Sequence, residues 1–474
     1  MRRRHLFASL AAATAITFAV LPAASRAQAA APPASTHYTG VLADGATWVA
    51  DVPAASSWNG TVILYSHGFG PLAAADAPDP TTQADLLHLG YALVGSSYSG
   101  PSWWALASAV RDQFGSLAAA ERITGHPRRV IAWGTSMGGL VSALETQDGR
   151  SRINGTLTTC GLVAGALSLN NYQLDGEYAL NELLAPGQQI QLVRYASADQ
   201  ASAAATALVA IVSQAQKTMP GRARIALAAA LLNEPVWYNG DNPPAPVDYA
   251  AQEQQQADEI TQFVLPFIMT GRYQIELAAG GNSSFTKGVD YRRTLTRSSF
   301  LPEVRALYRA AGLSLPRDLA TLTRHADITP DPRAVATLGR TSMVTGHLAV
   351  PELDIHTIYD QLVPVEQENW YLHRVIRAGS AGEFRQAFVD TTGHCNFQPS
   401  GYIAALHALE HRLSTGNWGD VTQPAALNAA AAKTGLGIFD PYVWFRPPLL
   451  VNARAPDGLP APRTKVADVA SSST

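Results

Sequence analysis

The chain has 474 residues, of which 34 are Lys or Arg and 37 are Asp or Glu, and its formal net charge is −3 at pH 7. This balance argues against a nucleic-acid partner, because phosphate contacts require concentrated Lys and Arg. Apolar residues make up 47% of the chain, which excludes wholesale disorder, and two Cys are too few for a disulfide scaffold or a four-Cys zinc site.

The first 29 residues have the three parts of a secretory signal peptide. Met1–His5 is basic, Leu6–Leu21 is apolar and rich in Ala, and Ala27–Ala29 fits an A-x-A cleavage site. The Arg pair in the basic part also resembles a twin-arginine signal, and the general secretory route fits as well. Residues 1–29 hold four Arg and no acidic residue, so cleavage would lower the net charge from −3 to −7. We expect a secreted or periplasmic protein without stable membrane insertion.

Short β-rich runs alternate with helical patterns from residue 38 to residue 167. The predicted strands are Tyr38–Leu42, Thr47–Val52, Thr61–Tyr65, Tyr91–Val94, Val130–Trp133 and Gly155–Thr159. The predicted helices are Thr82–Leu89, Trp104–Ile123 and Gly139–Thr146. Strands that alternate with helices predict an α/β fold with a mostly parallel, doubly wound sheet covered on both faces.

The strand pattern stops between about residues 168 and 340. This segment is rich in Ala, Gln and Leu and is predicted to be mainly helical, with helices at Ala201–Lys217, Arg222–Leu232 and Asp248–Phe263. A segment of about 170 residues is too long for a loop, so we expect a folded helical cap, or lid, inserted between the sixth and seventh strands. The strand pattern resumes at Leu353–Tyr359 and Phe384–Val389, before a last helix at Tyr402–Leu413.

These patterns divide the chain into five parts. They are a signal peptide (1–29), a first part of the α/β core (30–167), the helical cap (168–340), a second part of the core (341–447) and a C-terminal tail without periodicity (448–474).

A G-x-S-x-G pentapeptide, Gly134–Gly138, follows a predicted strand and precedes a predicted helix. This is the context of a nucleophile elbow, a tight turn that holds the central Ser hydroxyl clear of the sheet and accepts only Gly on either side. The pentapeptide alone also fits an ordinary Gly-rich turn. The assignment of Ser136 as nucleophile therefore depends on the other residues of a triad.

The loop His67–Gly70 ends the third predicted strand and has the sequence H-G-F-G. Such a loop can direct a backbone N–H at a reacting carbonyl oxygen, so we expect the N–H groups of Phe69 and Met137 to form an oxyanion hole. His67 is expected to organise the loop rather than to act as a base.

An acid and a His follow the last two predicted strands. Asp360 comes directly after the seventh strand, and His394 lies in the loop after the eighth. The chain order Ser136, Asp360, His394 is that of a triad in this architecture. We expect His394 to act as general base and acid and Asp360 to orient its imidazole. Asp390 is the competing acid, ranked lower because it is only four residues from His394 on the same loop.

The chain resembles the α/β-hydrolase superfamily, in particular secreted bacterial serine esterases with a large cap. The resemblance covers about residues 38–167 and 341–415 and rests on His67–Gly70, Gly134–Gly138, Asp360 and His394. It implies an eight-stranded, mostly parallel core, no cofactor, and hydrolysis through an acyl-enzyme.

The two Cys lie near these motifs. Cys160 ends the strand after the nucleophile, and Cys395 follows His394. In an exported protein they can pair, and a disulfide would then tether the His394 loop to the sheet. The alternative is two buried free thiols. Tannases and feruloyl esterases carry a Cys directly beside both the Ser and the His, whereas Thr135 precedes Ser136 here.

Aromatic residues follow the fourth strand, on the side of the sheet where α/β proteins bind ligands. We expect Tyr98, Trp103 and Trp104 to contact an apolar acyl or aryl group of the substrate. Packing of these rings in the core is the alternative. His407–His411 fits the H-x-x-E-H zinc pattern, but it also fits the last core helix, and we expect no metal.

We therefore expect an exported serine hydrolase that acts on carboxylic esters of small or oligomeric substrates. A capped peptidase with the same triad is an alternative, and it would need an acidic residue, such as Glu234, Asp241 or Asp248, to bind a substrate amine. A binding protein with this fold but without catalysis is a further alternative. The sequence does not determine the oligomeric state.

Overall fold

The computed structural model describes residues 35–148, 152–437 and 439–454. The predicted signal peptide and the end of the predicted tail lie outside these residues. The strands are β1 (Ser35–Val41), β2 (Thr47–Pro53), β3 (Thr61–Ser66), β4 (Ala92–Ser96), β5 (Arg129–Thr135), β6 (Gly155–Thr159), β7 (Glu352–Tyr359), β8 (Phe384–Thr392) and β9 (Tyr442–Val443).

The helices fall into three groups along the chain. Before β6 these are α1 (Pro80–His88), α2 (Leu106–Thr124) and α3 (Met137–Asp148). Between β6 and β7 they are α4 (Gly165–Leu184), α5 (Ala198–Ala215), α6 (Met219–Leu232), α7 (Tyr249–Glu259), α8 (Leu265–Ala279), α9 (Tyr291–Leu295), α10 (Leu301–Ala310), α11 (Leu315–His325) and α12 (Pro332–Thr341). After β7 they are α13 (Glu366–Arg377), α14 (Pro399–Thr415) and α15 (Pro424–Lys433).

The strands form one nine-stranded sheet in the order β1-β2-β4-β3-β5-β6-β7-β8-β9. Parallel pairing joins the six neighbouring strands β4, β3, β5, β6, β7 and β8, whereas antiparallel pairing joins β1 to β2, β2 to β4 and β9 to β8. All eight expected strands are present, and the sheet has one more, the two-residue strand β9, which pairs with β8. The predicted mostly parallel, doubly wound α/β fold is confirmed.

The central strands are buried on both faces, as their composition requires. All six residues of β3, Thr-Val-Ile-Leu-Tyr-Ser, are buried, and so are the five of β6. Continuous burial is typical of parallel strands covered by helices on both sides. The carboxyl ends of β5, β7 and β8 therefore meet at one edge, where the polar loops that follow them are brought together.

The helices between β6 and β7 form the segment that we call the helical insertion, residues 165–341. Its predicted helix Asp248–Phe263 is interrupted: α7 ends at Glu259, a π-helical turn spans Ile260–Val264, and α8 continues to Ala279. Pro266 in the first turn of α8 has no N–H to donate, so the regular hydrogen-bond pattern cannot run through this point. Ser197 caps α5, since its hydroxyl accepts from the Gln200 N–H.

The predicted tail begins with an ordered segment. Arg454 forms two hydrogen bonds with the Asp175 carboxylate of α4, at 2.8 and 2.7 Å, and Asn452 donates to the Leu231 carbonyl at 2.6 Å. Lack of periodicity therefore did not mean lack of structure here, because residues 448–454 are held by contacts with the helical insertion. Within the described ranges, none of the helices combines the length and hydrophobicity that a membrane crossing needs.

Candidate active site

Ser136 lies in the sharp turn between β5 and α3. Its φ is 60°, in the left-handed region that a residue with a side chain adopts only under strain. A Cβ at Gly134 would overlap the Gly138 carbonyl, and a Cβ at Gly138 would overlap the Ser66 carbonyl. Only Gly fits at either position, which is the geometry that the G-x-S-x-G motif predicts.

The side chains of Ser136, His394 and Asp360 form a continuous hydrogen-bonded chain. His394 Nε2 lies 2.8 Å from Ser136 Oγ, and His394 Nδ1 lies 2.9 and 2.8 Å from the two Asp360 carboxylate oxygens. Because Nδ1–H donates to the carboxylate, Nε2 is left to accept the Ser136 proton. The arrangement can therefore activate a hydroxyl nucleophile.

Asp360 is held in place by the turn that follows β7. It is 1% exposed, and its Oδ1 accepts hydrogen bonds from the N–H groups of Leu362 (3.0 Å) and Val363 (2.9 Å). Asp390, the competing acid, lies within β8 and donates its own N–H to the Pro441 carbonyl. The structure thus brings Asp360, not Asp390, to His394.

The loop after β3 lies directly against Ser136. A Cβ at Gly68 would come within 3.3 Å of the Ser136 Cβ, so a glycine allows this close approach. The N–H groups of Phe69 and Met137 have no acceptor within the part of the chain that the structure describes. Both are therefore available to a developing oxyanion, as the sequence predicts.

His67 and Tyr98 support this loop from behind. Their rings stack with centroids 4.2 Å apart, and Tyr98 donates its hydroxyl to the His67 carbonyl at 3.1 Å. Burial lowers the pKa of His67, so the ring is neutral and its Nδ1–H donates to the Gly68 carbonyl at 2.8 Å. Tyr98 therefore contacts the loop rather than the space in front of Ser136.

The predicted disulfide between Cys160 and Cys395 is confirmed, with the two Cα atoms 5.3 Å apart. Cys160 immediately follows β6, the strand beside β5, and Cys395 adjoins His394. The bridge ties the His394 loop to the sheet from this neighbouring strand. The position before Ser136 is taken instead by Thr135, whose hydroxyl lies 2.9 Å from that of Thr159.

An apolar cleft opens in front of Ser136. The helical insertion supplies one wall, through α4 and α8, and the loops of the core supply the other. The lining residues are Phe69, Trp104, Ser136, Leu162, Leu169, Gln173, Phe267, Ile268, Gly271, Ile275, Leu362, Val363 and His394.

Of the aromatic residues singled out in the sequence, Trp104 lines this cleft. Its indole N–H donates to the Ser342 hydroxyl at 3.1 Å, so only its ring carbons face the space. Trp103 is 41% exposed and packs edge-on against Phe69 with centroids 5.8 Å apart. Phe267, from the insertion, also packs edge-on against Phe69, with centroids 5.8 Å apart.

Sequence reasoning did not assign several lining residues, notably Leu169, Gln173 and Ile275. Leu169 and Gln173 are one turn apart on α4, and Phe267, Gly271 and Ile275 repeat at four-residue spacing on α8. This spacing was visible in the sequence and predicts a shared helix face. It does not reveal which face lies against Ser136.

The acidic residues considered for an amine site do not line the cleft. Glu234 is buried, and burial together with the negative charge of Asp360 raises its pKa well above the ordinary value, which favours the neutral acid. Asp248 caps α7 by accepting from the Ala251 N–H, and Asp241 is exposed. Among the described lining residues there is no carboxylate.

The H-x-x-E-H segment lies on α14. His407 and His411 are exposed, and the Glu410 carboxylate accepts a hydrogen bond from the Tyr91 hydroxyl at 2.8 Å. The Glu is thus engaged in linking α14 to the β4 side of the core.

No protein-family model matches the chain. It is 26% identical over 433 residues to an o-phthalyl amidase from Xanthobacter agilis, which covers 85% of this chain and 93% of the amidase. It also aligns with the structure of an esterase from Aspergillus oryzae, at 14% identity over 81% of this chain and 79% of the esterase, with a TM-score of 0.38.

A third alignment is with an acylaminoacyl peptidase from Pyrococcus horikoshii, at 10% identity and a TM-score of 0.33. It covers 77% of this chain but only 38% of the peptidase.

Proposed function

We propose that the protein is a serine hydrolase that cleaves carboxylic esters through an acyl-enzyme intermediate. The observation that carries the proposal is the 2.8 Å separation of Ser136 Oγ and His394 Nε2, with Nδ1 of the same ring bonded to Asp360. This separation is within the range in which an imidazole can remove the hydroxyl proton as the oxygen attacks an acyl carbon.

The reaction takes place in two displacements. Ser136 Oγ bonds to the acyl carbon, His394 takes its proton, and the N–H groups of Phe69 and Met137 donate to the oxyanion. Collapse of the tetrahedral intermediate breaks the bond to the alcohol oxygen, which receives the proton from His394. Water then attacks the acyl-enzyme with His394 again acting as base, and Ser136 is regenerated with release of the acid.

Cleavage of a carboxamide is a second candidate, and the amidase relative favours it. The same residues would act, with His394 protonating an amine instead of an alcohol. A peptidase that binds a free amino terminus is less well supported, because the described lining residues include no carboxylate to pair with an ammonium group. A binding protein would gain nothing from a strained Ser136.

We also propose that the protein is exported. The Cys160–Cys395 disulfide supports this, because such bridges persist in oxidising compartments. Amino-terminal sequencing of the protein purified from its source should begin near Ala30, and a start at Met1 would contradict export by a cleaved signal.

The test compares p-nitrophenyl esters with matched p-nitroanilides, using wild type, Ser136→Ala and Ser168→Ala. Ser168 is a suitable control because its hydroxyl is buried on α4 and is absent from the cleft lining. Ester cleavage should be lost in Ser136→Ala and kept in Ser168→Ala. Faster anilide cleavage would favour the amidase, and ester turnover that survives in Ser136→Ala would refute the proposed nucleophile.

A further inference from the structure

Gln173 is the one amide among the described residues that line the apolar cleft. It is only 6% exposed, and its side chain has no hydrogen-bond partner within the described ranges of the chain. The side chains of its two preceding neighbours on α4 do form hydrogen bonds: Asn171 donates to the Leu167 carbonyl, and Tyr172 donates to the Leu362 carbonyl. The unused donor and acceptor of Gln173 face the same space as Ser136.

No Lys or Arg is among the described residues that line this space. Arg272 directly follows the lining residue Gly271, but its guanidinium is turned into the helical insertion. There it bonds both oxygens of Glu177 at 3.0 Å and also donates to the Asn170 carbonyl and the Ser284 hydroxyl. Its charge is therefore balanced by Glu177 and unavailable to a substrate.

The amide of Gln173 and the lack of an available Arg have opposite consequences for the binding of neutral and of charged substrate groups. A substrate hydroxyl or carbonyl that bonds to Gln173 keeps this amide paired when the substrate displaces water from the cleft, whereas an apolar group in the same place leaves the amide unpaired, which is costly. A carboxylate brought into the same space would exchange water for one neutral amide and an apolar wall, which does not offset its lost hydration. A site built in this way rejects analogues that leave its polar group unpaired.

We propose that Gln173 is a specificity-determining residue that selects uncharged aryl substrates carrying one hydrogen-bonding group. The proposal rests on the proposed hydrolase function and extends it to a substrate class. Carboxylate-bearing aryl substrates are predicted to be poor, so the phthalyl group in the name of the amidase relative is not expected to suit this cleft.

The experiment uses p-nitrophenyl esters of benzoic, 3-hydroxybenzoic, 4-hydroxybenzoic and terephthalic acids, and a second set of phenyl and hydroxyphenyl acetates. These are compared for wild type, Gln173→Leu and the control Gln189→Leu, whose side chain is exposed on the loop after α4. Wild type and control should prefer one hydroxylated ester over its parent by about 10-fold in kcat/KM, the value of one neutral hydrogen bond. The terephthalate ester should be the poorest substrate.

Gln173→Leu should bring the hydroxylated-to-parent ratio to about one, with the parent ester measured for each variant as the internal reference. A ratio unchanged by Gln173→Leu, or no preference for a hydroxylated ester in either set, would overturn the proposal. Should no ester show Ser136-dependent turnover, the proposed function fails independently. Calorimetric binding of the same esters to Ser136→Ala and Ser136→Ala/Gln173→Leu then tests Gln173, with equal Kd values counting against it.

Discussion

The disulfide beside the candidate triad allows a quantitative prediction. Replacing both of its residues, in the variant Cys160→Ala/Cys395→Ala, opens a loop that the bridge closes across a sequence separation of 235. For a loop of this length the chain-entropy relation gives a loss of about 5.5 kcal/mol in the free energy of unfolding. With an unfolding entropy of about 2.1 cal/mol/K per residue, this corresponds to a melting temperature roughly 6 °C lower.

The same change should reduce catalysis. Without the bridge, the loop keeps weaker ties, including the hydrogen bond from the Asn396 amide to the Thr392 carbonyl at 2.8 Å. His394 would then be held less firmly against Ser136, and displacements near 1 Å in a catalytic group cost on the order of 100-fold in rate. We expect kcat to fall by about 10- to 100-fold at 25 °C, with a smaller change in KM.

Differential scanning fluorimetry and ester kinetics, each with and without dithiothreitol, measure both effects. Reductant should bring wild type to the melting temperature and kcat of the double variant, whereas the variant itself should not respond to reductant. A variant as stable and as active as wild type would refute the view that the bridge positions His394.

Three further changes test other parts of the structure. Gly271→Ala should add about 1 kcal/mol to the free energy of unfolding, because Ala is the better helix former. It should also raise KM for bulky esters, because the added Cβ would meet the Phe69 ring at 3.8 Å inside the cleft. Denaturant titration and ester kinetics measure these effects, and an unchanged KM would contradict a narrower cleft. Burial raises the pKa of Glu145 well above its ordinary value, so the folded state keeps a proton that the unfolded chain releases, and this contribution to stability is lost as pH rises above about 4.5. Glu145→Gln should therefore make stability decline less steeply than in wild type as the pH rises above about 4.5, measured by urea unfolding at several pH values, and equal slopes would argue against a buried neutral acid. Arg454→Ala should cost about 3 kcal/mol in urea unfolding, because Asp175 would stay buried without its ionic partner; stability equal to wild type would mean that residues 448–454 do not hold the insertion.

Local patterns in the sequence were sufficient for the core and for the order of the candidate triad. Each of the predicted core strands is present, and Gly155–Thr159 has the predicted ends. Ser136, Asp360 and His394 each follow a strand, and parallel strands bring their carboxyl ends to one edge. That rule needs no knowledge of distant contacts, so their convergence could be expected from chain order alone.

The wall of the cleft that α4 and α8 supply could not be predicted in this way. Gln173 and Phe267 are far from the motifs in sequence, and they reach the cleft only through the packing of α4 and α8 against the core. A helix pattern identifies an apolar face but not the partner that the face covers. The sequence also did not decide whether the two Cys pair, because their positions along the chain do not fix the distance between them in the fold.

The sequence by itself therefore determined the fold class, the tight turn at Ser136 and the chain order of the candidate triad, because each depends on residues within one strand and its following turn. Only the tertiary structure decided which insertion helices face Ser136, that Arg272 is turned away from the cleft, and that Arg454 reaches Asp175. These features depend on contacts between residues up to 279 positions apart, whose energies arise only when the whole chain is packed.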